Sequence, residues 1–512
     1  MNRILRNTAT VGAFTALSRV LGLVREMLQS RFIGAGVEQS AFTLAFALPN
    51  MARKLFGEGA LTAAFVPVFK GEVEAQAMES ARRLARAVMT MSLMMLGAIV
   101  VLAFLGLEAA VHFRVGLEMS ERTLLTVRLV KTLLPYMIFI CGAAFGMGVL
   151  NAMGRFKASS AMPCLLNVFW IGMLLWICFH PELKLDQRIH RVAMAILVAG
   201  VFQMAFMLWR MHCAGVTPGL TLKGWADAKV RLVWKNTAIA AVGAGAVQFN
   251  YMLDQVLGQV AAPWAAGVIG YAERLMDLPL GVIGVAFGTV LLPTFAGLFA
   301  KGDVEGAREA FVTSSRQMLF VMVPAAVGLG VLAPDVTTVI YRGGAFDAAA
   351  VTRVSRAVAV YAVGLGFFGL QKSLVPWFQA QNDMKTPLRI SIWTVCLNAV
   401  LNILAVVCLP VEWRHVGLAA STVLCAGGGC ALLARAARRM NGTLGLRRLV
   451  MPVSKMLLGS AAMVGVIICM KAFVSLPPIF LLALAIVAGG ATYFVTMAAM
   501  GLKFERRRGS LE

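Results

Sequence analysis

The chain has 512 residues, 60% hydrophobic and only 14% charged, with a mean hydropathy of +0.80. A soluble domain carries roughly 25% charged residues. Apolar runs of about 20 residues recur from end to end, so the composition excludes a soluble globular protein and predicts an all-α polytopic membrane protein. The runs are continuous rather than alternating, which excludes a β-barrel. The net charge of +23 is distributed around apolar segments instead of forming one dense patch, so no nucleic-acid partner is expected.

Fourteen transmembrane helices are predicted, at about 9–33, 40–69, 86–111, 125–150, 158–180, 192–213, 233–259, 265–299, 312–341, 352–379, 386–410, 415–436, 451–472 and 477–502. The first begins like a signal peptide, with Arg3 and Arg6 before an apolar stretch. Arg19 and Arg25 interrupt that stretch, so it is expected to be a retained helix. The nine cysteines lie in or beside apolar runs without a CxxC motif and read as small buried hydrophobes. The termini and the loops after even-numbered segments, with their flanking turns, hold 28 of the 47 lysines and arginines, against 13 after odd-numbered segments. This bias places both termini in the cytoplasm.

The chain also repeats itself. KGEVE at 70–74 recurs as KGDVE at 301–305, FVPVF at 65–69 as LLPTF at 291–295, and LNAMGRFKAS at 150–159 as FQAQNDMKTP at 378–387. Three matches in one order, offset by between 226 and 231 residues, predict two homologous halves of six helices. An even number of helices per half makes the repeat parallel, as in transporters whose halves rock around a central site. The expected divisions are 1–225 for helices 1–6, 226–440 for helices 7–12 and 441–512 for two additional helices.

Charged residues interrupt several of these segments. Arg19, Arg25 and Glu26 lie in the first, and Arg53, Lys54 and Glu58 follow Asn50 in the second. Glu273, Arg274 and Asp277 lie in the eighth and Asp254 in the seventh. An ionisable group within a bilayer costs several kcal/mol unless it faces a partner or a wet cavity, so these residues predict an internal, net cationic cavity. Asn50, Arg53 and Lys54 are spaced to share one helix face. Arg19 and Arg25, six residues apart, meet one cavity only if the helix bends at Gly22. Pro49 and Pro279 are expected to loosen the helices that carry the charges.

The runs SRVLGLVRE (18–26), AFALPNMARKLFGEGALTAAFVP (45–67), YAERLMDLPLGVIGVAFGTVLLP (271–293) and QNDMKTP (381–387) resemble the MurJ (MviN) lipid II flippase family of the MOP exporter superfamily. The resemblance covers essentially the whole chain. It implies a MATE-like pair of lobes enclosing a cationic cavity, with helices 13 and 14 forming a groove for a lipid tail. It further implies movement of lipid-linked peptidoglycan precursor from the cytoplasmic to the periplasmic leaflet by alternating access. The family's important arginines fall on Arg19, Arg25, Arg53 and Arg274, and its helix-8 carboxylates on Glu273 and Asp277. Ser40, Ala47 and Gly267 depart from the family pattern and receive no role.

Lipid II carries a pyrophosphate, for which arginine supplies a permanently charged bidentate donor. Arg19, Arg25, Arg53, Arg274 and Asn50 are the expected substrate contacts, and Glu26, Glu58, Glu273 and Asp277 the expected ion-pair or gating groups. Asp254, with Asp383 and Asn398, is the candidate site for a coupling cation, since oxygen ligands suit a hard ion. No other cofactor is expected, and the absence of GxxxxGK[ST] argues against ATP hydrolysis by this chain. The other expected partners are membrane lipids and cell-wall synthesis proteins. Competing readings are an O-antigen-type polyprenyl-linked polysaccharide flippase, another exporter of the superfamily, and a membrane enzyme consuming the same lipid. A cation exporter conflicts with the arginines. The short external loops carry no catalytic carboxylate motif for an enzyme.

Overall fold

The computed structural model describes residues 2–502 except Glu58, 114–119, 222–223 and 225–226. The side chains of 2–10, Phe113, 242–244, 246–247 and 282–289 also lie outside the description. The described elements are α1 (Asn2–Ile33), α2 (Val37–Ala52), a π-helical turn (Arg53–Gly57), α3 (Ala60–Glu74), α4 (Met78–Phe113), α5 (Glu121–Leu133), α6 (Tyr136–Ala152), α7 (Phe156–Cys178) and α8 (Leu185–Cys213). They continue with α9 (Ala228–Ala261), α10 (Ala265–Ala300), α11 (Val304–Val331), α12 (Ala333–Tyr341), α13 (Ala348–Gln379), α14 (Lys385–Cys408), α15 (Val411–Asn441), α16 (Arg447–Phe473) and α17 (Pro478–Ala499).

These helices fall on the fourteen expected segments, three of which are split. The second is split between α2 and α3 after Pro49, the fourth between α5 and α6 at Pro135, and the ninth between α11 and α12 before Pro334. Proline removes a helical donor and crowds the preceding turn, so each break has a local cause. Among the described residues, ten helical runs are long and apolar enough to cross a membrane by length and composition. The expected segments outside those ten are 9–33 and 40–69, which carry the charged clusters, and α9 and α10, whose side chains are only partly described.

The chain forms two compact units: 1–259 with 343–347, and 260–342 with 348–512. The start of α9 packs into the first unit, where Val230 and Val233 are buried beside Phe65, Phe69, Val88 and Met207. A second core of that unit gathers Phe42, Tyr136, Ile140, Trp170 and Ile196 from α2, α6, α7 and α8. In the second unit, Phe295, Phe311, Trp377 and Phe378 form one core. The two C-terminal helices join this unit rather than standing apart, because Met456, Met463, Tyr493 and Met497 close over Phe320. The Tyr493 hydroxyl donates to the Phe320 carbonyl at 2.8 Å, which satisfies its buried polar end.

Candidate functional site: a cationic cavity in the first unit

Arg25 is the centre of the site. Its Nη1 donates to Asn167 Oδ1 at 2.9 Å, its Nη2 pairs with Glu26, and its guanidinium carbon lies 4.4 Å from the centre of the Trp170 ring. The carboxylate fixes the charge, the amide and the indole face fix the plane, and Glu26 is buried. Asn167 is itself held, because its Nδ2 donates to the Ser18 carbonyl at 3.1 Å. Trp170 donates to Gln29 Oε1 at 3.0 Å, and Gln29 donates to Gln39 at 2.9 Å. Phe42 and Phe46 meet the Trp170 ring edge-on. Buried polar groups thus link α1, α2 and α7, which restricts where the guanidinium can point.

Arg53 arrives from the second helix. Asn50 Oδ1 accepts from its Nε at 3.3 Å and its Nη2 at 2.9 Å. The backbone changes from α-helix to a π-helical turn at Arg53. The Lys54 Nζ lies 5.4 Å from the centre of the Tyr251 ring, and Lys54 does not join Asn50 and Arg53 in lining the cavity beside Arg25. Gly57 ends this turn against α6, where an added Cβ would stand 2.6 Å from the Ala144 Cβ. At Gly59 it would meet the Lys54 carbonyl at 2.2 Å. The two glycines therefore set the backbone that presents Arg53.

Arg25, Arg53, Asn50, Asn167 and Gln203 line one cavity of about 350 Å³, with Phe46, Tyr136, Met162 and Pro163 among its apolar walls. That volume is within the roughly 300–1,000 Å³ of small-molecule sites. Among the described residues, one donor and one acceptor lining it are buried without a hydrogen-bond partner: Arg25 Nε, and Gln203 Oε1, which is complementary to a hydroxyl or amide. The arrangement suits an anion carried on a polar head. Guanidinium groups neutralise charge bidentately, and the amides hydrogen-bond what is attached.

The remaining expected residues divide. Arg19 is exposed on α1 and is not among the residues lining this cavity. Glu58 lies outside the described residues. Glu273, Arg274 and Asp277 belong to α10 of the second unit, with Arg274 5.8 Å from the centre of the Tyr271 ring and Asp277 exposed. Of the candidate cation ligands, Asp383 and Asn398 are not brought together. Asp383 caps the start of α14 by accepting from the amides of Lys385 and Thr386, while Asn398 lies thirteen residues into that helix, about 20 Å further along its axis. Asp254 is in the first unit and hydrogen-bonded by Asn250 at 3.3 Å. Among the described residues no group of three or more His, Cys, Asp or Glu is placed to hold a metal ion. Asn167, Trp170 and Gln203 were not anticipated. Their signal was a polar residue in an apolar run, Asn167 in LLNVFW, with an aromatic one helical turn on.

The fold resembles that of helical membrane transporters. It matches an inward-facing multidrug resistance MATE transporter of the MOP superfamily with a TM-score of 0.68 at 14% identity, covering 82% of this chain and 95% of that one. It matches the structure titled lipid II flippase MurJ, inward closed conformation, with a TM-score of 0.78 at 21% identity, covering 96% and 98%. The family model for lipid II flippase MurJ matches residues 29–488. The probable lipid II flippase MurJ of Rhizobium tropici is 33% identical over 404 residues, covering 78% of this chain and 75% of that protein. The lipid II flippase MurJ of Burkholderia cenocepacia is 33% identical over 411 residues, covering 78% of each. The chain belongs to the MurJ family, and is a multi-pass protein of the inner membrane.

Proposed function

We propose that the chain moves lipid II, the polyprenyl-pyrophosphate-linked disaccharide-peptide of peptidoglycan synthesis, from the cytoplasmic to the periplasmic leaflet. The observation that carries this reading is the convergence of Arg25 and Arg53 on one cavity inside an apolar helical unit. Membership of the family supports the choice of substrate. The head group is too polar to cross hydrocarbon and the tail too apolar to leave it. A carrier must shield the first and leave the second in lipid. Arg25 and Arg53 hold the pyrophosphate, Asn50 and Asn167 orient the two guanidinium groups, and Gln203 offers its free acceptor to the sugar or peptide.

In this reading both termini are cytoplasmic, fourteen helices cross the membrane, and the two repeated halves alternate between inward and outward access. Arg19 and Arg274 add charge along the path, Glu273 and Asp277 exchange partners during the cycle, and α16 and α17 guide the tail. Transport draws on the membrane potential, an ion gradient or consumption of product, not on nucleotide hydrolysis by this chain. Asp254 is then the first candidate for cation coupling. Cell-wall synthesis proteins that use lipid II are its expected neighbours. The test is depletion of the chain in its native host, followed by measurement of which leaflet retains lipid II. Retention in the inner leaflet is expected; an unchanged distribution would refute the proposal.

A further inference from the structure

A second cationic cavity, separate from the first, lies in the second unit. Arg308 from the first turns of α11, Arg435 and Arg438 from the end of α15, and Arg447 and Arg448 from the start of α16 line about 810 Å³. Gly442 and Gly445 adopt positive φ, +79° and +73°, and fold the chain back so that the two helix ends face one space. Arg308 is paired with Glu305 and donates to the Asn441 carbonyl at 3.1 Å. Among the described residues the other four arginines have no ion-pair partner. No aspartate or glutamate occurs in the sequence from Trp413 to Phe504, so the segment that carries these four arginines supplies no carboxylate of its own.

The positive-inside bias requires basic residues near a cytoplasmic turn. It does not require a fifth, contributed by a helix more than a hundred residues away, to share one cavity with them. The walls are amphipathic. Leu432, Leu444 and Leu446 line the same space, and Val450 and Met451, on the first turn of α16, are 66% and 64% exposed. Charge at a helix end beside exposed apolar side chains matches a ligand with a phosphate head and hydrocarbon chains. The α16 N-terminus adds its own positive end, with no side chain capping it.

We propose that this cavity is a binding site for an anionic phospholipid, its head-group phosphate held by Arg435, Arg438, Arg447 and Arg448 and its acyl chains lying along Leu432, Val450 and Met451. The site is distinct from the cavity around Arg25, and a lipid there would brace the α15–α16 turn against α11. The proposal does not depend on what the Arg25 cavity carries.

Native mass spectrometry of the full purified chain with phosphatidylglycerol or phosphatidylcholine tests it. One phosphatidylglycerol should be retained in preference to phosphatidylcholine. Replacing the four arginines with glutamine should weaken that retention by about fivefold per arginine, the equivalent of about 1 kcal/mol each. Arg231→Gln with Lys235→Gln removes charge elsewhere and should leave retention unchanged. Equal retention of the two lipids by the wild-type chain would overturn the proposal without recourse to any variant. So would equal losses from the control pair and the arginine set. Glycerol 3-phosphate binding to lipid-free chain as tightly as phosphatidylglycerol would assign the cavity to a soluble phosphate ester instead, and the lipid assignment would fall.

Discussion

Removing Arg25 separates the structural and binding roles of the first cavity. Arg25→Ala deletes the ion pair with Glu26, the hydrogen bond to Asn167 and the stacking on Trp170. The largest cost is the carboxylate left behind, because Glu26 is only 6% exposed. Breaking a buried pair by removing one partner costs about 3–5 kcal/mol. Loss of the stacking adds roughly 0.5–2 kcal/mol. These effects share one side chain and do not add fully. The single variant is therefore expected to be destabilised by about 4 kcal/mol and inactive, which alone cannot distinguish instability from lost binding. Adding Glu26→Gln removes the buried charge that Arg25 no longer neutralises. The double variant should recover most of the thermal stability of the detergent-solubilised chain, measured by intrinsic fluorescence, and accumulate normally in the membrane. It should still fail to support growth when the wild-type chain is depleted. A stable double variant that restores growth fully would refute an anion-binding role for Arg25 and leave it as a structural partner of Glu26.

Arg25→Lys retains charge but loses the planar fork, so partial activity at near-normal stability is expected in the same complementation assay. Asn167→Leu should lower transport while protein levels stay within twofold of wild type; unchanged transport would show that Asn167 does not orient Arg25. Gly57→Ala places a methyl 2.6 Å from the Ala144 Cβ and should destabilise by about 1–3 kcal/mol, with Ala144→Gly as a second-site suppressor in thermal unfolding. At the turn before α14, the hydrogen bond from Thr386 is the main cause of a lowered Asp383 pKa. Asp383 therefore contributes stability that is fully present above the ordinary aspartate value of about 4 and is lost as pH falls through its lower folded value. The stability difference between wild type and Asp383→Asn should be constant from neutral pH to about 4 and shrink below it.

Much of this arrangement was legible in the sequence because a bilayer penalises charge so strongly. Arg25, Glu26 and Arg53 stand out against apolar neighbours, and burial beside partners is the physical answer to that cost. Segment positions followed from apolar run length, and the three split segments each contain the proline or lie beside it. What periodicity does not encode is a change of helix type. Asn50, Arg53 and Lys54 have the spacing of one α-helical face, yet only the first two line the cavity, and of the π-helical turn from Arg53 only Gly57 and Gly59 give a hint. Nor does spacing reveal which distant side chain completes a site. Asn167 lies 142 residues from Arg25, and its role depends on α1 and α7 packing together. Nor does sequence context reveal that Asp383 is engaged by backbone amides. A carboxylate just before a helix is used by the backbone amides of the first turn, whatever its sequence context suggests.

The account's central claim is that Arg25 and Arg53 hold the pyrophosphate of lipid II during its passage across the membrane. The most direct measurement is the fraction of lipid II accessible at the outer face of the inner membrane after the native chain is replaced by an Arg25→Gln, Arg53→Gln variant, with Glu26→Gln included to maintain stability. The account predicts a folded, membrane-resident variant with lipid II confined to the inner leaflet. Outer-leaflet lipid II at the wild-type level in cells expressing only that variant would contradict it.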